Sequence, residues 1–356
     1  MRPPVHVVMP AGVRDPARPS GGNVYDVRVS TGLAAGGWRV REHEIAGDWP
    51  WSDTTARMRL AQVLRSVPNG EIVLVDGLVG SAAPETIASH ANRLRLGVLV
   101  HMPLGHAFAS SPSVARAEVQ VLAAADVVVV TSEWTRDWLL EAYRLDPLRL
   151  CVAVPGADPG PLTSGSDVGN RLLAVGPISR RKGHDALVAA LGRLEDVDWE
   201  LACVGSLTVD RETARDVERR AAATGGRVRV TGPLVGQALE AAYASADLLV
   251  HPSRSETYGM VLTEALARGV PVLATKVGGT REALGNTSFG PPGLLVTSGD
   301  PAALAAALRL WLTDEETRGR LGRAARARRE GLATWDATVD RVQEALSSTV
   351  LAGAVR

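Results

Sequence analysis

The chain has 356 residues, which at ~150 per domain suggests two domains, each with a core. Its 39 basic and 39 acidic side chains cancel, which excludes the strong field that draws a protein to nucleic acid or an anionic membrane. Cys151 and Cys203 are the only cysteines and both lie in apolar strand-like runs, so a disulfide scaffold is excluded and a reduced, cytoplasmic protein is expected.

The first apolar run, Val5–Met9, is too short for the core of a signal peptide, and no run approaches the ~20 apolar residues of a membrane helix. A loop follows, then Gly21-Gly22-Asn23 and a helix-like stretch through Leu33; paired glycines let backbone approach a ligand closely and present N–H groups at a helix start. Further strand candidates are Trp38–Val40, Ile72–Val75, Gly97–Val100, Asp126–Val130 and Leu150–Val154, mostly alternating with helical patterns. Trp49 and Trp51 flank Pro50 in a loop and are expected to pack beneath it. Asp76 closes the strand EIVLVD, and His101 ends GVLVHMPLGH with His106 five residues on, both at carboxyl edges where open α/β sheets bind ligands. Pro155–Asn170 is rich in proline, glycine, serine and aspartate and reads as the boundary. The expected division is a first domain over 1–157, a linker over 158–170, a second domain over 171–333 and a closing segment over 334–356.

The second half repeats the rhythm with Leu172–Val175, Glu200–Val204, Val228–Val230, Leu248–Val250, Val270–Ala274 and Leu294–Val296. Short β-branched runs alternating with helices predict an α/β chain of two Rossmann-like domains with parallel sheets. Lys182 and Lys276 are the only lysines in a chain that otherwise uses arginine, and Lys182 with Gly183 falls at the turn of LLAVGPISRRKGHDALVAAL. A compact ammonium on a flexible stem at such a turn suits an anionic group. Asp196 and Asp198 form a DxD in EDVDWE, read as a solvated loop and not as a metal site; no metal cluster is expected. Leu248–Glu282 packs a strand, a polar loop, a helix of about three turns, a second strand and a glycine pair into one stretch. Glu256 lies in its loop and Glu264 about two turns into its helix, near the end where free amides and the dipole favour anions. Glu316–Arg329 carries six arginines on a helix, read as a solvated face.

The stretch HPS…SETYGMVLTEALARGVPVLAT…GG…E resembles the E-x7-E region of the retaining glycosyltransferases of family GT4, and PSGGNVYDVRVSTGLAAGGWRV resembles their N-terminal pattern. The resemblance covers most of the chain. It implies a GT-B fold, two Rossmann-like domains facing across a cleft, with the helix from Thr334 crossing back to the first domain. It further implies transfer of a sugar from a nucleotide-diphosphate donor, with retention and without a metal or other cofactor. The acceptor is left open among a natural product, a glycan, a lipid and a small metabolite; so are peripheral membrane contact and oligomeric state. By resemblance Gly21 and Gly22 border the donor diphosphate, and Lys182 and Arg181 bind it. Pro233 lies near the base, and Glu256 holds sugar hydroxyls. Tyr258, Gly259, Met260 and Val261 form the start of the diphosphate-binding helix, and Glu264 takes the ribose. His101 stands by the transferred sugar, and Asn23, Asp76 and His106 lie on the acceptor side. The family's GR…KG pattern is broken by Pro177 where arginine is usual, a role left open between Arg180 and Arg181. Two other readings are an epimerase acting on sugar nucleotides and a catalytically impaired partner subunit that binds them.

Overall fold

The structure, a computed structural model, describes residues 2–17 and 19–353, with side chains through Thr349. The first sheet holds β1 (Pro4–Pro10), β2 (Arg39–Ile45), β3 (Ile72–Asp76), β4 (Arg95–Val100), β5 (Val127–Val130) and β6 (Leu150–Val152). The second holds β7 (Arg171–Val175), β8 (Glu200–Val204), β9 (Val228–Gly232), β10 (Leu248–His251), β11 (Val272–Thr275) and β12 (Gly293–Val296). Every pairing within both sheets is parallel. Central strands such as β3 and β5 are buried along their whole length, because helices cover both faces and leave no polar side for alternation. β2 departs from expectation. It runs on to Ile45 through Arg41, Glu42, His43 and Glu44, which an apolar pattern cannot reveal, because β2 is an edge strand whose backbone pairs with β1 while its side chains stay largely in solvent.

The chain divides into two compact units. One takes in residues 2–15, 21–156 and 333–353. Its last helix, Trp335–Gly353, lies on the helix Gly21–Ala35, with Val342, Ala345 and Leu346 in the same core as Val5, Val29 and Leu33. A Cβ at Gly32 would stand 2.3 Å from Val339 Cγ2, so that crossing needs a residue without a side chain. The other unit takes in residues 157–332 together with residues 16, 17, 19 and 20. The segment read as a linker is fastened onto this second unit: Thr163 Oγ1 donates to Ala244 O at 2.8 Å, and Ser166 Oγ to Asp247 Oδ2 at 2.6 Å. The arginine-rich helix, Glu315–Arg328, is less of a solvated face than its sequence implies. Arg318 donates to Trp311 O and Leu312 O, Arg328 to Leu284 O, and Arg329, just past the helix, to Ala267 O and Gly160 O. No described helix is long and apolar enough to cross a membrane.

Strand order positions the ligand edge of each sheet. The first runs β2-β1-β3-β4-β5-β6 and the second β12-β11-β10-β7-β8-β9, so the direction of winding reverses between β1 and β3 and between β7 and β10. At such a reversal the loops leaving two neighbouring strands part to opposite faces and open a crevice at their carboxyl ends.

Candidate active site

In the second unit the reversal brings together the loop after β7, which carries Lys182, and the loop after β10, which carries Glu256. Gly183 takes φ +75° before the helix His184–Leu191, and a Cβ there would lie 2.0 Å from Pro252 O, so only glycine lets the loops close on each other. Arg254 stitches them further. Its backbone N donates to Arg181 O at 2.8 Å, and its guanidinium spans Asp185 at 2.7 and 2.9 Å in a bidentate pair. Lys182 Nζ then meets Glu256 Oε2 at 2.5 Å, and His251 Nε2 lies 3.0 Å from the same oxygen. Burial opposes charge on Glu256, but the Lys182 ammonium and His251 outweigh it and hold the carboxyl well below its ordinary range. His251 is itself pushed down, by burial first.

The helix after this loop, Met260–Ala267, is two turns long, shorter than expected, because Arg268 leaves helical geometry and Gly269 turns with φ +73°. Gly259, at φ +103°, caps its start, where the first backbone N–H groups have no partner inside a helix. Tyr258 beside it is buried, and burial pushes its phenol up to about 12. Glu264 Oε2 accepts from Tyr243 Oη at 2.7 Å. Burial raises its carboxyl, with Tyr243 and Arg268 opposing. Arg181 is exposed and donates to Ser255 O at 3.3 Å, next to Glu256. Pro233 is exposed just past β9. The DxD serves the surface: Asp196 pairs with Arg309 through two 2.7 Å contacts, and Asp198 accepts from Asn170 at 2.7 Å.

In the first unit the helix Gly21–Ala35 begins at the glycine pair itself, and Asn23 lies in its first turn. Asp76 ends β3, and its Oδ1 accepts from the N–H groups of Leu78 at 2.7 Å and Val79 at 3.2 Å. His101 follows β4. Its Nε2 stands 2.7 Å from Asp26 Oδ1 and 3.4 Å from Asp76 Oδ2. Burial disfavours a charged ring, yet the two carboxylates outweigh it and raise His101 to about 10. These three residues bring ligand atoms within 4.8 Å of one another, the group among the described residues that has the spacing to chelate a cation. An imidazolium donating through Nε2 has no lone pair there, so the ion-pair arrangement and a metal compete for the same atom. His106 is set among aromatic rings, edge-on to Trp134 at 5.0 Å and Trp138 at 5.7 Å.

The expected packing of the two loop tryptophans holds for one of them. Trp49 donates to Ile45 O and packs on the core, whereas Trp51 is 58% exposed, edge-on to Phe108 at 5.3 Å. Several partners went unseen in the sequence: Asp26, His251, Tyr243 and Arg254. Only His251 carried a local signal, as the last residue of a strand at the reversal.

Residues 166–328 match the family described as Glycosyl transferases group 1. The chain is 34% identical over 243 residues to a D-inositol 3-phosphate glycosyltransferase of Geodermatophilus obscurus, covering 63% of this chain and 52% of that protein. It is 32% identical over 256 residues to the protein of the same name from Corynebacterium efficiens, covering 66% and 59%. The chain thus spans little more than half the length of these curated relatives. Among solved structures, sucrose-phosphate synthase from Thermosynechococcus elongatus superposes with a TM-score of 0.80 at 22% identity, over 99% of this chain and 100% of that one. Anabaena HepE in complex with UDP and glucose gives 0.75 at 18%, over 98% and 100%. Family match and fold agree with the E-x7-E and lysine-glycine loops meeting at the second sheet's reversal: residues 166–328 carry the sequence pattern of the group 1 glycosyltransferases, and the chain has the GT-B fold.

Proposed function

We propose that this chain is a retaining, metal-independent glycosyltransferase that moves a sugar from a nucleoside-diphosphate donor to a hydroxyl or amine acceptor. The observation that carries the reading is the Lys182–Glu256 contact at the reversal between β7 and β10, beside the start of the helix Met260–Ala267. Lys182 and the first amides of that helix take the diphosphate, which gains charge as the bond from the anomeric carbon to phosphate oxygen breaks. Glu256 holds the sugar hydroxyls and Glu264 the ribose hydroxyls. The acceptor oxygen or nitrogen bonds to the anomeric carbon on the face the diphosphate leaves, and its proton passes to the departing diphosphate oxygen. The relatives' name supports glycosyl transfer, and the UDP and glucose in the HepE structure support a sugar-nucleotide donor. Lys182 meets Glu256, and donor binding brings the ammonium a second anionic partner in the diphosphate.

A thermal-shift series with UDP, GDP, ADP, CDP and dTDP tests the reading. Ligand at 100 times its dissociation constant adds ~2.7 kcal/mol of stability, so one diphosphate is expected to raise the melting temperature clearly. The matching sugar nucleotide is then expected to release free sugar slowly in EDTA, and any glycosylated product to keep the donor's anomeric configuration by proton coupling. No response to any diphosphate refutes donor binding; an epimerised donor favours the epimerase.

A further inference from the structure

We propose that Asp26 is a positioning residue for His101: with Asp76 it takes the Nε2 proton, so that Nδ1 is the one ring nitrogen left to a ligand and is offered to it as a hydrogen-bond donor. Asp26 is 1% exposed, one turn into the helix Gly21–Ala35, on an element that approaches β4 only in the folded unit. Its Oδ1 makes the shorter contact to Nε2, 2.7 Å against 3.4 Å for Asp76. Asp76 is divided between two duties, since its other oxygen caps the helix Gly77–Ser81. The groups that face the ring are Asp26 and Tyr25 from the helix Gly21–Ala35 and Asp76 from the end of β3; Tyr25 sets its ring edge-on at 5.2 Å. Asp26 Oδ2 is buried with no hydrogen-bond partner among the described residues. A buried carboxylate oxygen without a donor is costly, and retaining aspartate here is explained by the charge it supplies to His101. Burial and Asp76 push Asp26 up, with His101 opposing, while both carboxylates push His101 up. A ring so held donates from Nδ1 and has no lone pair with which to act as a base.

Imidazole nitrogen NMR on protein labelled with 15N-histidine tests this without reference to turnover, with the His101 signals assigned by their loss in His101→Gln. In the unaltered protein both His101 nitrogens are expected to carry protons at pH 8, where an ordinary histidine is neutral. Asp26→Asn keeps shape and removes charge, and is expected to lower the His101 midpoint by at least one pH unit; Asp76→Asn, at the longer distance, is expected to lower it less. A neutral His101 ring at pH 8 in the unaltered protein overturns the proposal even if Asp26→Asn does not fold, and so does an unchanged midpoint in a folded Asp26→Asn. Where a donor is turned over, the alkaline limb of its pH profile is expected to move down in Asp26→Asn; a limb that stays put while the NMR midpoint falls overturns the proposed part of Nδ1 in the reaction. Failure of the wider glycosyltransferase reading is seen separately, as absence of diphosphate binding.

Discussion

Lys182→Ala is expected to cost stability as well as activity, and the structure sets the size. The Lys182 side chain is 13% exposed and that of Glu256 9%, so the pair is largely desolvated. Removing one partner of such a pair costs ~3–5 kcal/mol, because the other charge is left buried. His251 still meets Glu256 Oε2 at 3.0 Å, which places the loss near the low end, ~3 kcal/mol. For a domain of this size 1 kcal/mol moves the melting temperature by ~2–4 °C, so calorimetry at about pH 7 is expected to show a drop of ~6–12 °C. Lys182→Met with Glu256→Gln leaves no uncompensated charge, and is expected to recover most of that loss without recovering turnover. The pH dependence carries a sign. With lysine present, Glu256 is held below its ordinary range, and its contribution is lost as pH falls through that depressed value. With alanine, burial dominates and raises the carboxyl above its unfolded value, so the deficit shrinks on acidification as Glu256 protonates. A Lys182→Ala protein within ~0.5 kcal/mol of the parent, the ordinary scatter of a surface change, refutes the coupling. A double variant as unstable as the single one does the same.

Three further outcomes are expected. Glu264→Gln keeps an acceptor for Tyr243 and is expected to fold, but to weaken nucleoside-diphosphate binding by about 10-fold or more, since a hydrogen bond to a charged group is worth roughly 1.5–3 kcal/mol; Glu256→Gln is expected to leave that binding nearly intact in calorimetry and to lower turnover of the full donor. Gly183→Ala places a Cβ 2.0 Å from Pro252 O and is expected to destabilise by more than ~2 kcal/mol in urea, whereas Gly37→Ala, at φ +83° with nothing within 4 Å, is expected to cost ~1 kcal/mol. Stability is expected to fall on both sides of neutrality. His101, raised to about 10, contributes fully below pH ~6.5 and loses its contribution as pH climbs through 10; His184, pushed down to about 3 by burial first, with both nitrogens unpartnered, loses stability as pH drops below ~6.5. Melting curves against pH for His101→Gln and His184→Leu check each limb.

The sequence by itself determined the parallel α/β architecture and the loops that matter. β-branched runs buried on both faces announce parallel strands, and all twelve strand candidates have a counterpart in the two sheets. Lys182-Gly183 and Glu256 with Glu264 were legible because their chemistry is written over a few consecutive residues. β2 was legible only at its start, since an edge strand is fixed by backbone pairing and leaves its side chains free to be polar. Tertiary structure alone decided the partners. Asp26 and His101 are 75 residues apart, Lys182 and Glu256 74, and Tyr243 and Glu264 21. In sequence Asp26 is a charge interrupting an apolar helix face; in the fold it is the carboxylate that holds His101. Local pattern sets secondary structure because hydrogen bonding and burial repeat with a fixed period. The charge state of a buried side chain depends on which distant group the winding of the sheet brings within ~4 Å, and that distance has no period in the sequence.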